Sequence, residues 1–517
     1  MSTQSPAPQP APAVPAPPLR IKRLTLTDFR AFPGPAPAHF DLDGKNLLVY
    51  GENGAGKSSL FHALGGFFAL KPQRALREHK NVFSGLPDTE CKVSVEFADD
   101  SAAVEWTITR HPGSVRGTSS DLRVTEAALR RACLDYRALL DTNYKQGTGA
   151  VNLFGITVEH LLRDYPVTVT GGASTTIGEL WTKVLTSKPD KHTGAALTRI
   201  NQACVEFNTA FREAFPVLIP LINELMQQFG WQDLTLNGFN TPGLTYNNAR
   251  LKQNRKIEGQ QLAPELSFRN HPLQTPQLFL NEARLSALGL AIYLAGRLAC
   301  TPTATSTALK LLVLDDVLIG LDHSNRLPVL DVLNSRFVDW QIVLLTHDRN
   351  WFDLARAHLP EANWKCIEVY EGDGAAAAPI PLVRTTQNRP ARALLDKAKE
   401  LVQTPYVEAA ANYARQAFEL GVRAACELKQ IAMPYRVYPK TDKPPLQAQD
   451  FLEKLKQWPG SAKVPKADWD AALARLETLK NVVMNPYSHP NAPNIPKLEV
   501  EQAIDAVDKF LELVRKN

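Results

Sequence analysis

No stretch of the 517-residue chain holds the roughly 18 consecutive apolar residues that a membrane-spanning helix needs. The N-terminus also lacks the charged-then-apolar order of a secretory signal. A cytoplasmic protein without membrane association is the expectation. Cysteine is sparse: Cys91, Cys133, Cys204, Cys300, Cys366 and Cys426 stand apart, with no CxxC pair and no His/Cys ligand spacing. That pattern argues against a disulfide framework or a structural zinc and fits reduced thiols. An excess of one charge is missing too. A net charge of +5 permits contact with nucleic acid and does not argue for it. What remains is an ordinary globular composition, 44% hydrophobic and 21% charged, in a chain long enough for about three domains.

Residues 1–18 are largely Pro/Ala repeats, which neither form a helix nor bury a core, so a disordered or polyproline tail is expected there. Strand patterns follow at Ile21, Leu24 and Leu26, at "HFDLD", and at "KVSVEFA" (92–98) and "AVEWTITR" (103–110), the last two alternating as half-exposed antiparallel strands do. From about residue 120 to 265 the pattern reads as a helical insert. Leu197, Ile200, Cys204, Phe207, Phe211, Leu218, Leu221, Leu225 and Phe229 recur at helical spacing, and Pro216 and Pro220 are expected to kink or divide that segment. Its heptads are too few for a long coiled coil. Strand-like runs return at "LKLLVLDD", "QIVLLTHD" and "KCIEVYE". From residue 389 to 517 the chain reads as helices only, at 390–402, 405–431, 448–457, 467–484 and 499–515.

The apolar run "LLVY" leads into Gly51-Glu52-Asn53-Gly54-Ala55-Gly56-Lys57-Ser58 and then a helical pattern opening on Ser59, which is counted with the loop among the nucleotide-binding candidates. This fits G-x-x-x-x-G-K-[ST] without a mismatch, with a strand before it and a helix after. Glycines let consecutive N–H groups of Asn53, Gly54, Ala55 and Gly56 wrap a phosphate. Lys57 brings a cation to the β- and γ-phosphates, and Ser58 can ligate Mg²⁺. ATP and Mg²⁺ are the ligands this implies. "LLVLDD" is a buried strand with carboxylates at its C-terminal tip, where α/β sheets place ligands. Asp315 is assigned to the Mg²⁺ shell and Asp316 to orienting the attacking water.

"LVLDDVLIGLD" followed by "IVLLTHD" resembles the Walker B, D-loop and switch-histidine run of ABC-type ATPases, and more narrowly the SMC/RecF group. The resemblance spans residues 19–385. It implies an α/β ABC-type P-loop ATPase head, a mixed sheet with helices. It places Asp322 at the D-loop and His347 at the γ-phosphate-sensing position, and brings Arg30 of "LTDFRAF" toward the nucleotide. Lys57, Asp316 and His347 are thereby the catalytic candidates. The signature segment that completes a partner's site aligns with Leu280-Asn281-Glu282-Ala283-Arg284, where Asn281 replaces serine and Ala283 replaces glycine. Asn281 still offers a hydrogen-bond donor to a γ-phosphate. Gln146 is the Q-loop candidate for the metal. Asp316 stands where most relatives carry glutamate, and a shorter carboxylate fits slow hydrolysis. Membrane transporters share these motifs, but here Lys57 and Asn281 are separated by the extra length of the insert.

Two basic stretches, Arg110/Arg116/Arg123/Arg130/Arg131 and Arg250/Lys252/Arg255/Lys256, fit either phosphate contact or a solvated face. The C-terminal helices mix Ala409, Tyr413, Phe418, Leu420 and Val422 with small residues and loosely resemble the HEPN family. The Arg-to-His spacing of that family's ribonucleases fails here, with Lys480 and Asn481 before His489 and Arg475 the nearest upstream arginine. A structural or oligomerising all-α bundle is therefore the reading. Compact heads of this kind resemble ATPase components of bacterial antiphage systems such as Septu, PARIS and some retrons, which hold or license a nuclease or toxin. A homo-oligomer, dimer or higher, with such a partner is the expectation. The alternatives are a RecF-type DNA repair ATPase and an ATP-gated ribonuclease acting through the C-terminal domain.

Overall fold

The computed structural model describes residues 17–70, 72–113, 120–128, 131–139, 151–169, 172, 174–189, 194–300, 307–373, 379–386, 390–434, 446–480 and 496–516. The chain divides into two compact units, residues 1–385 and 386–517.

The first unit holds two main sheets. Strands β1 (Ile21–Thr27), β2 (Ala38–Asp41), β4 (Lys92–Phe97) and β5 (Val104–Trp106) form an antiparallel sheet in the order β2-β1-β4-β5. Strands β3 (Asn46–Gly51), β6 (Ala132–Asp135), β7 (Leu311–Asp315), β8 (Gln341–Thr346), β9 (Trp364–Asp373) and β10 (Pro379–Thr386) form the second, in the order β10-β9-β3-β8-β7-β6. Within it β9, β3, β8, β7 and β6 run parallel. Parallel strands covered on both faces need continuous apolar runs, and β3, β7 and β8 are buried at every residue.

Their alternate side chains enter two different cores. Leu47, Val49, Leu311, Val313, Val343 and Leu345 join the core shared with the antiparallel sheet and helix α1 (Lys57–Phe67). Leu48, Tyr50, Leu312, Leu314, Ile342 and Leu344 join a second core on the opposite face. Buried Gln341 staples the two sheets together. Its amide accepts from the Ile21 N–H at 2.6 Å and donates to the carbonyls of Ile21 and Lys45 at 2.9 and 2.8 Å.

Three expectations change. The segment 120–265 is not purely helical. Residues Ala132–Asp135 form β6 at the edge of the parallel sheet, and Leu234–Asn240 pairs antiparallel with Ala263–Phe268. Four residues of β6 carry too short a pattern to separate strand from helix. The long helix α2 (Ala195–Gln228) runs through Pro216 and Pro220 undivided. Both prolines are exposed and four residues apart, so they share the outer face of the helix with Arg212, while Phe215, Leu218, Ile222 and Leu225 stay buried. Strand β5 stops at Trp106 because Thr107 and Arg110 exchange backbone hydrogen bonds and turn the chain. The insert is not a separate body either: α2 contributes Phe207, Phe211 and Leu225 to the same core as β7 and β8.

The second unit is all α among its described residues: Pro390–Leu401, Val407–Leu428, Ala448–Leu455, Lys466–Leu479 and Lys497–Arg515. Ala410, Ala411, Ala414 and Ala417 are fully buried, which lets helix backbones approach closely around Phe418, Trp469 and Phe510. The Trp469 indole donates to the Leu455 carbonyl at 2.9 Å. Asp508 pairs with both Arg392 and Lys399. Arg475 is engaged with Asp505 at 3.1 Å, and Asn481 and His489 lie outside the described residues.

Candidate nucleotide site

The phosphate loop sits between β3 and α1. Gly54 and Gly56 have φ of 94° and 104°, a left-handed backbone that glycine adopts without strain. A Cβ at Gly56 would lie 3.1 Å from the Phe32 ring and 3.2 Å from the Ala31 methyl, so the turn after β1 is packed against the loop. The same turn reaches Ser59, which is buried and accepts from the Ala31 N–H at 3.3 Å. Ser59 thus braces the loop from behind.

Helix α1 begins at Lys57 with no side-chain cap and no acidic residue in its first turn. The Ser59 N–H donates to Gly56 O at 2.9 Å, so the N–H groups of Lys57 and Ser58 and the positive dipole end are the ones that face outward toward an anion. Asn53 is exposed on the loop and Ala55 is buried beneath it. Lys57 is 5% exposed, with its ammonium donating to the Gly51 carbonyl and to Glu52 O at 3.0 Å. Burial lowers its pKa, against the opposing pull of Asp316, Asp315 and Glu52.

At the tip of β7, Ser58 Oγ donates to Asp315 Oδ2 at 3.3 Å. The other oxygen, Asp315 Oδ1, is buried without a hydrogen-bond partner among the described residues. Burial and the charge of Asp316 push the Asp315 carboxyl up to about 6, offset in part by Lys57 and Ser58. An orphaned carboxylate oxygen beside a serine hydroxyl fits a hard, oxygen-seeking cation that takes its other ligands from phosphates and water. Among the described residues no three His, Cys, Asp or Glu side chains gather into a metal cage of their own. The residues present therefore suit Mg²⁺ carried with a nucleotide.

Asp316 has a left-handed backbone, φ 57°, and its side chain is taken up by His347, whose N–H and Nδ1 each lie 2.9 Å from one carboxylate oxygen. The structure thus brings Lys57, Ser58, Asp315, Asp316 and His347 to the ends of three adjacent parallel strands. Arg30, φ 49°, is locked by backbone bonds to His79 O (2.6 Å) and from Asn81 Nδ2 (2.6 Å), with Nη1 3.5 Å from His79 Nδ1. Burial lowers the Arg30 pKa, and Arg74 adds to the effect.

Asn281 and Asp322 share no hydrogen bond with this group. Asn281 is exposed and caps helix α3 (Glu282–Ala299) by accepting from Arg284 N at 3.0 Å, which leaves its amide hydrogens as donors. Asp322 is exposed at the N-cap of α4 (His323–Arg336) without a side-chain capping bond. Gln146 lies outside the described residues. So do Arg116 and Arg130, and other members of the basic stretches are already engaged. Arg123 pairs with Asp121 at 2.8 Å, Arg131 donates to Gly65 O, and Lys256 pairs with Glu258 at 3.5 Å.

Sequence reading missed Arg326 and Asp348. Arg326 is buried, bonded to Asp348 Oδ2 at 2.8 Å and to the carbonyls of Leu321 and Ile319 at 3.1 and 3.3 Å. An arginine four residues after Asp322 sits one helical turn into α4, on the side that looks back toward the loop, and that spacing was the available signal.

A two-faced parallel sheet, a phosphate loop on its third strand, paired acids at the tip of a neighbouring strand and a flanking antiparallel sheet make this an α/β P-loop head of the ABC type. Residues 23–132 match the family described as AAA domain. Over 57 residues the chain is 46% identical to the DNA replication and repair protein RecF of Rhizobium leguminosarum bv. trifolii (strain WSM2304), a match covering 11% of this chain and 14% of that relative's length. Among solved structures, the Smc head domain of Pyrococcus furiosus with an extended coiled coil, bound to the C-terminal domain of ScpA, is 12% identical. That match covers 74% of this chain and all of that one, with a TM-score of 0.38. The recombination mediator protein RecF bound to ATP is 10% identical, with 72% and 98% covered and a TM-score of 0.42. No described helix is long and apolar enough to cross a membrane.

Proposed function

We propose that the chain is an SMC/RecF-like ATPase that binds ATP with Mg²⁺, joins a second copy through the bound nucleotide, and uses that association to hold or license a partner effector. The observation that supports it best is the shared network at three strand ends: Lys57 and Ser58 on the loop, Asp315 bonded to Ser58, and Asp316 bonded to His347. Loop amides and the α1 N-terminus take the β- and γ-phosphates, with Lys57 as counter-charge. Ser58 and Asp315 would hold Mg²⁺, which neutralises phosphate charge when bound. His347, beside the γ-phosphate, exchanges its bond to Asp316 for one to a phosphate oxygen. The freed Asp316 carboxylate then orients a water and accepts its proton as the water oxygen bonds to phosphorus. The bond to the β,γ-bridging oxygen breaks, leaving ADP and phosphate.

Asn281 and Asp322 are exposed and unused by their own site, as residues offered to a second copy are. A nuclease or toxin as the partner effector, in antiphage defence, rests on likeness of organisation: a short insert in place of a long coiled coil, with a separate helical unit. The test is ATP turnover and mass in solution for wild type, Lys57→Ala and Asp316→Asn, followed by capture of a co-expressed neighbouring gene product in the ATP-bound state.

A second reading, a DNA repair ATPase, is favoured by the local identity to RecF. It requires hydrolysis stimulated by DNA, with an affinity that falls steeply as salt rises.

A further inference from the structure

Two consecutive residues after β8 grip the two ends of a single loop. His347 holds the beginning, through both oxygens of Asp316. Asp348 holds the end through Arg326, whose planar guanidinium bridges the Asp348 carboxylate and the carbonyls of Ile319 and Leu321. Such a three-way bridge uses the fixed fork of an arginine and is closed to the single-point charge of a lysine. Arg326 is 6% exposed and lies over the Trp351 ring at 5.9 Å, so its rotamer is packed. Asp348 in turn caps helix α5 (Arg349–His358) by accepting from Trp351 N at 3.0 Å.

Between its two grips the loop touches the helix that begins at Asn281. A Cβ at Gly320 would fall 2.7 Å from Ser286 Oγ on α3. The loop then ends at Asp322, exposed and not used as a cap.

We propose that Arg326 is a positioning residue that couples His347 to the surface carrying Asp322 and Asn281, so that capture of a terminal phosphate by His347 re-sets the face a second copy meets. This rests on the nucleotide-binding reading above. When His347 turns from Asp316 toward phosphate, Asp348 moves with it along the chain. Arg326 passes that displacement to the carbonyls of Ile319 and Leu321. Without the bridge, the phosphate is still bound by the loop at Lys57, but the 316–322 segment no longer responds.

The test uses full-length protein with a non-hydrolysable ATP analogue and two variants. Arg326→Lys keeps the charge and loses the fork. Asp348→Asn keeps an acceptor for Trp351 N–H and removes the ionic partner. Affinity for the analogue is expected to stay within about twofold of wild type in both, while in a parallel turnover assay with ATP itself kcat falls about tenfold or more with KM little changed. Hydrogen exchange is read on two peptides, one over 51–60 and one over 316–322. In wild type the nucleotide alters both. In each variant it alters the first and leaves the second unmoved. A 316–322 peptide that responds in the variants as in wild type overturns the proposal. So does a loss of thermal stability with the response intact, which marks a purely structural role. If the 51–60 peptide of wild type ignores nucleotide, the binding reading itself fails, and the coupling falls with it.

Discussion

Asp316 and His347 are joined twice, backbone N–H to one carboxylate oxygen and ring Nδ1 to the other, both at 2.9 Å. His347 occupies one acceptor site on each oxygen and leaves the second site of each open to a water. In the proposed mechanism the ring of His347 exchanges its bond to Asp316 for one to a phosphate oxygen. Asp316→Asn is expected to bind ATP normally and to hydrolyse it about 100-fold more slowly, since the amide cannot take a proton. His347→Ala removes the ring bond to Asp316, keeps the backbone N–H bond and deletes the proposed γ-phosphate contact, so it too is expected to slow turnover with binding intact. Single-turnover kinetics with labelled ATP separates binding from chemistry in both.

Lys57 donates to its own loop and is buried beside two acids. Its replacement by alanine is expected to remove the proposed charge-assisted bond to phosphate, worth about 3 kcal/mol, which is about 100-fold in affinity. Calorimetry with ATP measures this directly. Gly56→Ala is expected to weaken binding as well, because φ of 104° and the Phe32 ring at 3.1 Å leave no place for a methyl.

The unpartnered oxygen of Asp315 suits the proposed Mg²⁺. Wild type is expected to bind ATP more tightly with Mg²⁺ than with a chelator present, and Asp315→Asn is expected to show no difference between the two conditions. Titration of a fluorescent nucleotide in both buffers checks it.

His62, on α1, has a pKa lowered to about 4 by burial and by the nearby charges of Arg30, His79, Arg74 and Arg137. The unfolded chain takes up a proton near pH 6.5 and the folded one only near 4. This contribution to stability is therefore complete above about pH 6.5 and is lost as pH falls toward 4. After allowing for partial exposure the loss is on the order of 1–2 kcal/mol. Thermal melts from pH 7.5 to 4.5 should show a smaller acid loss for His62→Gln than for wild type.

The parallel strands and the phosphate loop were legible because each is a local pattern: unbroken apolar runs for β3, β7 and β8, and glycines spaced for a left-handed turn. Strand β6 was not, since four residues carry no period and only pairing with Leu312–Asp315 makes them a strand. The prolines of α2 do not divide the helix, and both lie on its exposed face, as does Arg212 four residues before the first, while Leu218 between them stays buried. The Ser59 hydroxyl accepts from the Ala31 N–H, a contact between residues 28 positions apart that no local pattern displays. The Arg326 bridge joins segments 22 residues apart, and no single stretch of sequence displays it.

The most direct measurement is the mass in solution of wild-type protein, with and without a non-hydrolysable ATP analogue, beside Lys57→Ala. Nucleotide is expected to double or further multiply the wild-type mass and to leave Lys57→Ala unchanged. A wild-type chain that binds the nucleotide and remains a monomer at every concentration contradicts nucleotide-driven association.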